Sequence, residues 1–291
     1  MDPRLRSALA ATAVLGTLAA AAGAAWATAP GQKGKLVAPM TTSAVYPTSI
    51  AVIGDGNVTG YASDPKHRFQ EARANSWATG TNAAVRSIYS RLLAVQPGVR
   101  GHAFNLGSQG ATVSDLSSLI LRAFQLRTKP GLVLVQIMQN DVACDGKDDA
   151  PRSAEYQSQV TEALQTLAEG LPKARILAVS HWGTLDSYIK AVQSYGLGAR
   201  LTHASKSICS IFAPKTGKVV PEHVAYVRRM RNGYNTAFAA ACKAVPTCRY
   251  DGGAARRIVL KPADLAHRYE TLSIQGLARL AAVEWKALYG G

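Results

Sequence analysis

The sequence predicts an α/β protein, built as a three-layer α/β/α sandwich around a mostly parallel sheet. Short, continuous apolar runs alternate along the chain with longer stretches of helical periodicity. Continuous apolar runs are typical of strands that are buried on both faces, as the strands of parallel sheets are. Strands that alternate with helices favour crossover connections, which place helices on both faces of one sheet.

Five strand candidates and five helix candidates follow from these patterns. The strand candidates cover residues 49–54, 101–106, 131–137, 174–180 and 247–250. The helix candidates cover residues 82–95, 113–127, 152–170, 222–243 and 273–288. The helical pattern is clear in the fourth of these, which forms one apolar face from Val224, Val227, Met230, Tyr234, Phe238 and Ala241.

The candidate functional site lies where strands end. In open parallel sheets, ligands bind beyond the carboxyl ends of the strands. Residues 54–60, 105–111 and 140–144 each follow a strand candidate. We therefore expect these three segments to gather at one edge of the sheet.

The first 27 residues are typical of a secretory signal peptide. Arg4 and Arg6 precede an uncharged, alanine-rich run over residues 8–25, and residues 25–27 offer an A-x-A cleavage site. The run is near the lower length limit of a membrane span, so an uncleaved anchor is the alternative. We expect a secreted or extracytoplasmic protein, with residues 1–27 as its signal peptide.

The rest of the chain is divided into a linker and one domain. Residues 28–47 are rich in Pro, Gly, Thr and Ser, as flexible tethers are. Residues 48–291 are enough for a single α/β domain with a sizeable core. They contain no apolar stretch long enough to cross a membrane.

The chain is strongly basic, with a formal net charge of +15 at pH 7. Such a charge favours contact with anionic surfaces such as acidic lipids or wall polymers. The basic residues are scattered, and aromatic residues do not interleave with them as in nucleic-acid-binding segments. We therefore expect a solvated basic surface, which allows peripheral contact with a membrane or cell wall, and no nucleic-acid partner.

The four cysteines are Cys144, Cys209, Cys242 and Cys248. An even number in an exported chain suggests two disulfides. Cys242 and Cys248 would close a short loop, which leaves Cys144 to pair with Cys209. A zinc site is the alternative, but the C-x-x-C and H-x-x-x-H spacings of zinc sites are missing, so we expect no metal.

Six segments, taken in chain order, resemble the SGNH/GDSL hydrolases, specifically their secreted actinobacterial branch. The segments are IAVIGDGNVTG, SWATGTNAAVRSIYSRLL, NLGSQGATVSDL, VQIMQNDVAC, RNGYNTAFAAAC and TLSIQGLARLAAVEW, within residues 49–286. Each alone is a weak signal, whereas all six in family order make a strong one. The resemblance implies a flavodoxin-like sheet, a lipid, ester or acylated cell-wall glycan ligand, and no cofactor.

In that family a serine after the first strand attacks an ester carbonyl, and three N–H donors bind the resulting oxyanion. The resemblance puts Gly56 at the serine position, where no side chain is available to attack. It puts the oxyanion donors at the backbone N–H groups of Gly56 and Gly110 and the side chain of Asn140. The chain departs from the family at Met138, where a glycine is usual.

The family's general base, a histidine, and the aspartate that orients it belong to the last segment. The resemblance puts Thr271 at the histidine position and Arg268 at the aspartate position. A D-x-x-H sequence, from Asp264 to His267, lies just upstream. Either the acid and the base were lost together with the serine, or Asp264 and His267 act from a displaced position.

Besides Arg268 and Thr271, four residues are candidates for contact with a ligand: Asp55, Asn57, Ser108 and His181. Asp55 and Ser108 lie in turns, where the usual role of such side chains is to hydrogen-bond the local backbone. His181 follows a strand candidate, and a histidine satisfied within the structure is the alternative there.

Two functions remain open from the sequence. The first is a catalytically impaired, secreted homologue that binds an ester, acyl or acylated-glycan ligand without cleaving it. The second is an active ester hydrolase of the lipase/esterase type that uses a displaced set such as His267 with Asp264. An oxyanion hole without its triad keeps only about 10³–10⁴-fold catalysis over water, which favours the first.

Overall fold

A computed structural model describes residues 46–144, 149–206, 209–267 and 269–290. The predicted signal peptide, residues 1–27, lies outside the described residues. So do residues 28–45 of the predicted linker and Arg268.

Five parallel strands form the central sheet. They are β1 (Ile50–Gly54), β2 (Ala103–Asn105), β3 (Leu132–Gln136), β4 (Arg175–Ala178) and β5 (Cys248–Tyr250). Their order across the sheet is β2-β1-β3-β4-β5, and each neighbouring pair is parallel. This is the strand order of a flavodoxin-like sheet. The structure therefore confirms the predicted fold class.

Helices cover both faces of this sheet. In the described part of the chain they are α1 (Ile88–Val95), α2 (Leu116–Gln125), α3 (Asp149–Gly170), α4 (Leu185–Ser194), α5 (Leu197–Lys206), α6 (Pro221–Lys243) and α7 (Ile274–Tyr289). Every residue of β1 and β3 is buried, which requires cover on both faces. α3 packs against both α2 and α6, and α1 packs against α7. None of the described helices is both long and apolar enough to cross a membrane.

The helices differ from the sequence prediction in two places. The first helix begins at Ile88 rather than at residue 82, because Arg86 adopts a left-handed φ of 50° and Ser87 caps the helix. The predictions missed α4 and α5. Each is only 10 residues long, and Gly196 ends the first with a φ of 86°, so neither gives a long periodic pattern.

Both predicted disulfides are present. Cys144 pairs with Cys209, whose Cα atoms are 4.8 Å apart, and Cys242 pairs with Cys248 at 5.2 Å. The structure confirms the predicted pairing. It also leaves none of the four thiols for the alternative zinc site.

The carboxyl group of Glu284, in α7, lies in the core without a hydrogen-bond donor from the described residues beside it. Its side chain is fully buried, and neither oxygen has a hydrogen-bond partner among the described residues. Burial, and after it the nearby carboxylate of Asp251, raises the pKa of Glu284 well above its usual value. The folded protein therefore keeps a proton on Glu284 at pH values where the unfolded chain has lost it.

Glu284→Gln is therefore expected to stabilise the protein at neutral and alkaline pH. An acid with a raised folded pKa loses stability as the pH rises above its unfolded value, 4.5, towards its folded value, whereas an amide does not titrate. The gain should grow between pH 4 and pH 8 by up to about 1.4 kcal/mol for each pH unit above the unfolded pKa, because only the acid titrates. Urea unfolding at both pH values measures it, with Glu169→Gln on the exposed side of α3 as the control. A gain that is independent of pH would contradict this account.

Candidate active-site cleft

A cleft of about 270 Å³ opens at the carboxyl edge of the sheet. Its wall includes Gly56 after β1, Gln109 after β2, Asn140 after β3 and Thr271 before α7. The three segments that were expected to gather at this edge do meet here. The positions at which the resemblance puts the nucleophile, one oxyanion donor and the general base thus share one cavity.

The side chain of Gln109 fills the space beside Gly56. A Cβ atom built on Gly56 would lie 2.0 Å from Oε1 of Gln109 and 3.2 Å from Cβ of Tyr61. A serine would therefore fit at residue 56 only if the Gln109 carboxamide moved. The backbone of Gln109 is fixed, since its N–H donates to Oε1 of Glu71 at 2.8 Å.

The predicted oxyanion donors lie on the two neighbouring loops. Gly110 has a left-handed φ of 82°, and no atom lies within 4 Å of where its Cβ would be. Nδ2 of Asn140 donates to the carbonyl oxygen of Ala111 at 2.9 Å, which leaves the second N–H of that amide group for another acceptor. Met138 is buried with an extended φ of 167°, so the absence of the family's glycine does not strain this loop.

Asp55 and Asn57 hold the turn after β1 and do not line the cleft. Oδ1 of Asp55 accepts hydrogen bonds from the backbone N–H and from Nδ2 of Asn57, both at 2.9 Å. Oδ1 of Asn57 accepts from Nε1 of Trp182 at 2.9 Å. Burial raises the pKa of Asp55. Both residues thus position the turn and Trp182 instead of presenting a polar group to a ligand.

Ser108 is a turn residue. Its backbone N–H donates to the carbonyl oxygen of Gly54 at 3.0 Å, and its own carbonyl oxygen accepts from Ala111 at 3.2 Å. Its side chain is not part of the cleft wall. The structure therefore gives Ser108 a backbone role.

A hairpin before α7 separates Thr271 from the upstream D-x-x-H sequence. Leu265 and Leu272 form the antiparallel bridge at its base. Thr271 is buried and lines the cleft. His267 lies near the tip of the hairpin, exposed, with Nε2 2.9 Å from Nη1 of Arg68. It does not line the cleft.

The contacts of the Asp264 carboxylate are with Lys261 and Arg279, and not with His267. Its Oδ2 accepts from the backbone N–H of Lys261 at 2.7 Å and forms an ion pair with Arg279. Its other oxygen has no hydrogen-bond partner among the described residues. The structure therefore does not bring Asp264 and His267 together, and Asp264 does not line the cleft either.

His181 lines the cleft together with Arg231 of α6. Nη2 of Arg231 donates to the carbonyl oxygens of Trp182 at 2.9 Å and Gly183 at 3.0 Å, and it contacts Nδ1 of His181. Burial, and after it the charge of Arg231, lowers the pKa of His181 well below 6.5. The imidazole is therefore neutral at pH 7.

The other side of the cleft is apolar and aromatic. Its apolar wall residues are Val142, Trp182, Leu185, Tyr188, Ile211 and Val227. The Tyr188 ring lies 6.0 Å from the Trp182 ring and 5.8 Å from the His203 ring. Burial lowers the pKa of His203 to about 4, so this residue is also neutral at pH 7. Such a wall suits an uncharged, apolar group.

Gln109, Trp182 and Arg231 belong to the wall residues for which the sequence motifs predicted no role. Gln109 directly precedes the predicted donor Gly110, and Trp182 follows β4 at the carboxyl edge. Their positions in the sequence therefore indicated that both lie at the ligand-binding edge of the sheet. Arg231 lies in the middle of α6, and only the packing of that helix brings it to the cleft.

A flavodoxin-like sheet with a cleft at its carboxyl edge, walled by the loops after β1 and β3, is the architecture of an α/β protein that binds its ligand at that edge. The family model of the GDSL-like lipase/acylhydrolases matches residues 50–254, so the chain belongs to that family. No curated protein matches the chain.

Among solved structures, the chain is similar to an extracellular lipase from Streptomyces rimosus, with 12% identity and a TM-score of 0.46 over 82% of this chain and 99% of that one. It is also similar to phospholipase A1 from Streptomyces albidoflavus, with 12% identity and a TM-score of 0.39 over 71% and 80%. A family two carbohydrate esterase from Clostridium thermocellum gives 14% identity and a TM-score of 0.40 over 82% and 62%.

Proposed function

We propose that this protein binds an ester, or the acyl group of a lipid or glycan, in the cleft without hydrolysing it. The position of the family's nucleophile is Gly56, and Oε1 of Gln109 stands 2.0 Å from where a Cβ would be. This observation carries the proposal, because covalent catalysis needs a nucleophilic atom at that point. Secretion is part of the proposal and rests on the predicted signal peptide and the two disulfides.

Thr271 and the two histidines of the cleft are poor general bases. Thr271 stands at the histidine position, and a hydroxyl group does not accept a proton at neutral pH. His181 has a pKa well below 6.5, and the pKa of His203 is about 4. A base is most effective when its pKa lies near the working pH, so both imidazoles accept a proton weakly.

The same cleft is suited to holding a neutral ester. The carbonyl oxygen would accept hydrogen bonds from the free N–H of Asn140 and from the backbone N–H of Gly56, which both line the cleft, whereas Gly110 does not line it. The acyl chain would lie against Trp182 and Leu185. A volume of about 270 Å³ suits a short chain.

Ethyl hexanoate is expected to bind saturably and to be recovered intact. Leu185→Glu should weaken binding about tenfold or more, because it puts a carboxylate into the apolar wall. Leu185 is the first residue of α4, where a carboxylate favours the helix, so the fold should be kept. Leu121→Glu, at an exposed position of α2, is the matched control.

Tryptophan fluorescence measures the binding, and gas chromatography of the recovered ester and acid measures its fate. Steady release of hexanoate by the purified wild-type protein would contradict the proposal. So would equal affinity of the wild-type protein and the Leu185→Glu variant.

A further inference from the structure

A second cavity, of about 280 Å³, adjoins the cleft and shares Arg231 with it. Its wall is formed by the first turn of α4, by α6 and by the turn after β5. Four arginines line it: Arg228, Arg231, Arg256 and Arg257. Asp186 is the one acidic residue among the described residues of this wall.

Three of these arginines have no carboxylate partner among the described residues. Arg228 pairs with Asp186 across 2.5 Å, which neutralises both. By contrast, Nη2 of Arg256 donates to Oδ1 of Asn232 at 3.3 Å, and Nη1 of Arg257 donates to the carbonyl oxygen of Gly252 at 2.7 Å. Those acceptors are neutral, so the charges of both guanidinium groups remain in the cavity.

Arg231 adds the third charge. Its hydrogen bonds go to the backbone carbonyl oxygens of Trp182 and Gly183 and to the neutral ring of His181. Burial, and after it the nearby charge of Arg256, lowers the pKa of Arg231 to about 10, so it stays charged at pH 7. Arg231 is half-buried, and Arg256 and Arg257 are exposed. Like charges gathered on one wall repel one another, and an anion bound between them would relieve that cost.

We propose that this cavity binds a phosphate group. Guanidinium groups are planar forks of N–H donors that match the oxygens of phosphate in pairs. A phosphate dianion neutralises more of the three unpaired charges than a single carboxylate does. The class of ligand is therefore inorganic phosphate or the phosphate of a monoester.

Arg231 and Leu185 line both cavities, so they form the wall between them. A phosphate carried on an alkyl chain would thus have an apolar surface close by, whereas free phosphate would use the arginines alone. Two probes, inorganic phosphate and hexyl phosphate, distinguish a free phosphate ligand from a phosphate monoester with an alkyl chain. The phosphate site does not depend on the binding of a neutral ester in the cleft.

Isothermal titration with both probes at low salt tests the proposal. The wild-type protein should bind at least one of them saturably. Arg256→Ala with Arg257→Ala should weaken that binding about tenfold or more, because charge-assisted hydrogen bonds are lost. Arg122→Ala with Arg127→Ala removes the same charge at exposed positions outside both cavities and should leave the affinity unchanged.

A second double variant, Arg256→Lys with Arg257→Lys, keeps the two positive charges. It shows whether weaker binding by the alanine variant comes from the lost guanidinium groups or from a lost fold. It should bind more weakly than the wild-type protein and more tightly than the alanine pair, since lysine lacks the fork. Tighter binding of hexyl phosphate identifies a phosphate ester as the ligand, and equal binding identifies free phosphate. No saturable binding of either probe, equal weakening in the control pair, or tighter binding of acetate than of phosphate would overturn the proposal.

Discussion

Gly56→Ser alone is expected to leave the protein nearly inert towards esters, whereas a rebuilt set should give clear esterase activity. The new side chain would meet Oε1 of Gln109, which lies 2.0 Å from the position of its Cβ; the exposed Gln109 side chain can turn away, and Gln109→Ala removes the contact altogether. Even then, a serine hydroxyl without a base is a poor nucleophile. Thr271→His puts an imidazole on the same cleft wall, at the family position of the base.

The gain from the added histidine should be large. A positioned general base contributes about 10²–10⁴-fold, so the variant with Gly56→Ser, Gln109→Ala and Thr271→His should exceed the variant with the first two changes by at least about 100-fold. Adding Arg268→Asp, at the aspartate position that the resemblance gives, should raise it further. The serine and the histidine act as a unit, so either one without the other should gain little. Initial rates with p-nitrophenyl butyrate measure the series.

The same series tests the alternative acid and base. If Asp264 and His267 served the site, Gly56→Ser with Gln109→Ala would already be active, and His267→Ala would abolish that activity. The structure predicts the opposite, because His267 is exposed beside Arg68 and Asp264 is paired with Arg279.

Loss of the longer disulfide should be the most costly change in stability. Cys144 and Cys209 are 65 residues apart, and Cys242 and Cys248 are 6 apart. In the chain-entropy description, closing a loop of the first length stabilises the fold by about 4 kcal/mol and one of the second by about 2 kcal/mol. We expect Cys144→Ala with Cys209→Ala to lose about twice the unfolding free energy that Cys242→Ala with Cys248→Ala loses.

Urea unfolding of the two double variants measures this ratio. Cys209 also lines the cleft, so the first pair should weaken ester binding as well, and the second pair should not. A larger loss for the shorter loop would show that packing around the sulfur atoms outweighs the constraint on the unfolded chain.

The sheet could be predicted because each buried strand is marked by a short run of neighbouring apolar residues in the sequence. β1 and β3 are continuous apolar runs, and such runs are buried in parallel sheets whatever their neighbours are. The edge where Gly56 and Asn140 meet follows from the same rule, since the carboxyl ends of parallel strands share one edge.

The sequence could not show which side chains face the cleft. Asp55 and Asn57 flank the nucleophile position, yet their hydrogen bonds to each other and to Trp182 turn them inward. Thr271 and His267 are four residues apart, and the hairpin sends one to the cleft and the other to the surface. These orientations are set by contacts between residues that are far apart in the sequence, so no short sequence pattern indicates them.

Intact-mass spectrometry after treatment with a fluorophosphonate shows whether the protein has an activated serine. These reagents form a covalent adduct with an activated serine and need both the nucleophile and its base. The account predicts an unchanged mass for the wild-type protein and a single adduct for the variant with Gly56→Ser, Gln109→Ala and Thr271→His. A stoichiometric adduct on the wild-type protein would contradict it and would show that another serine acts as the nucleophile.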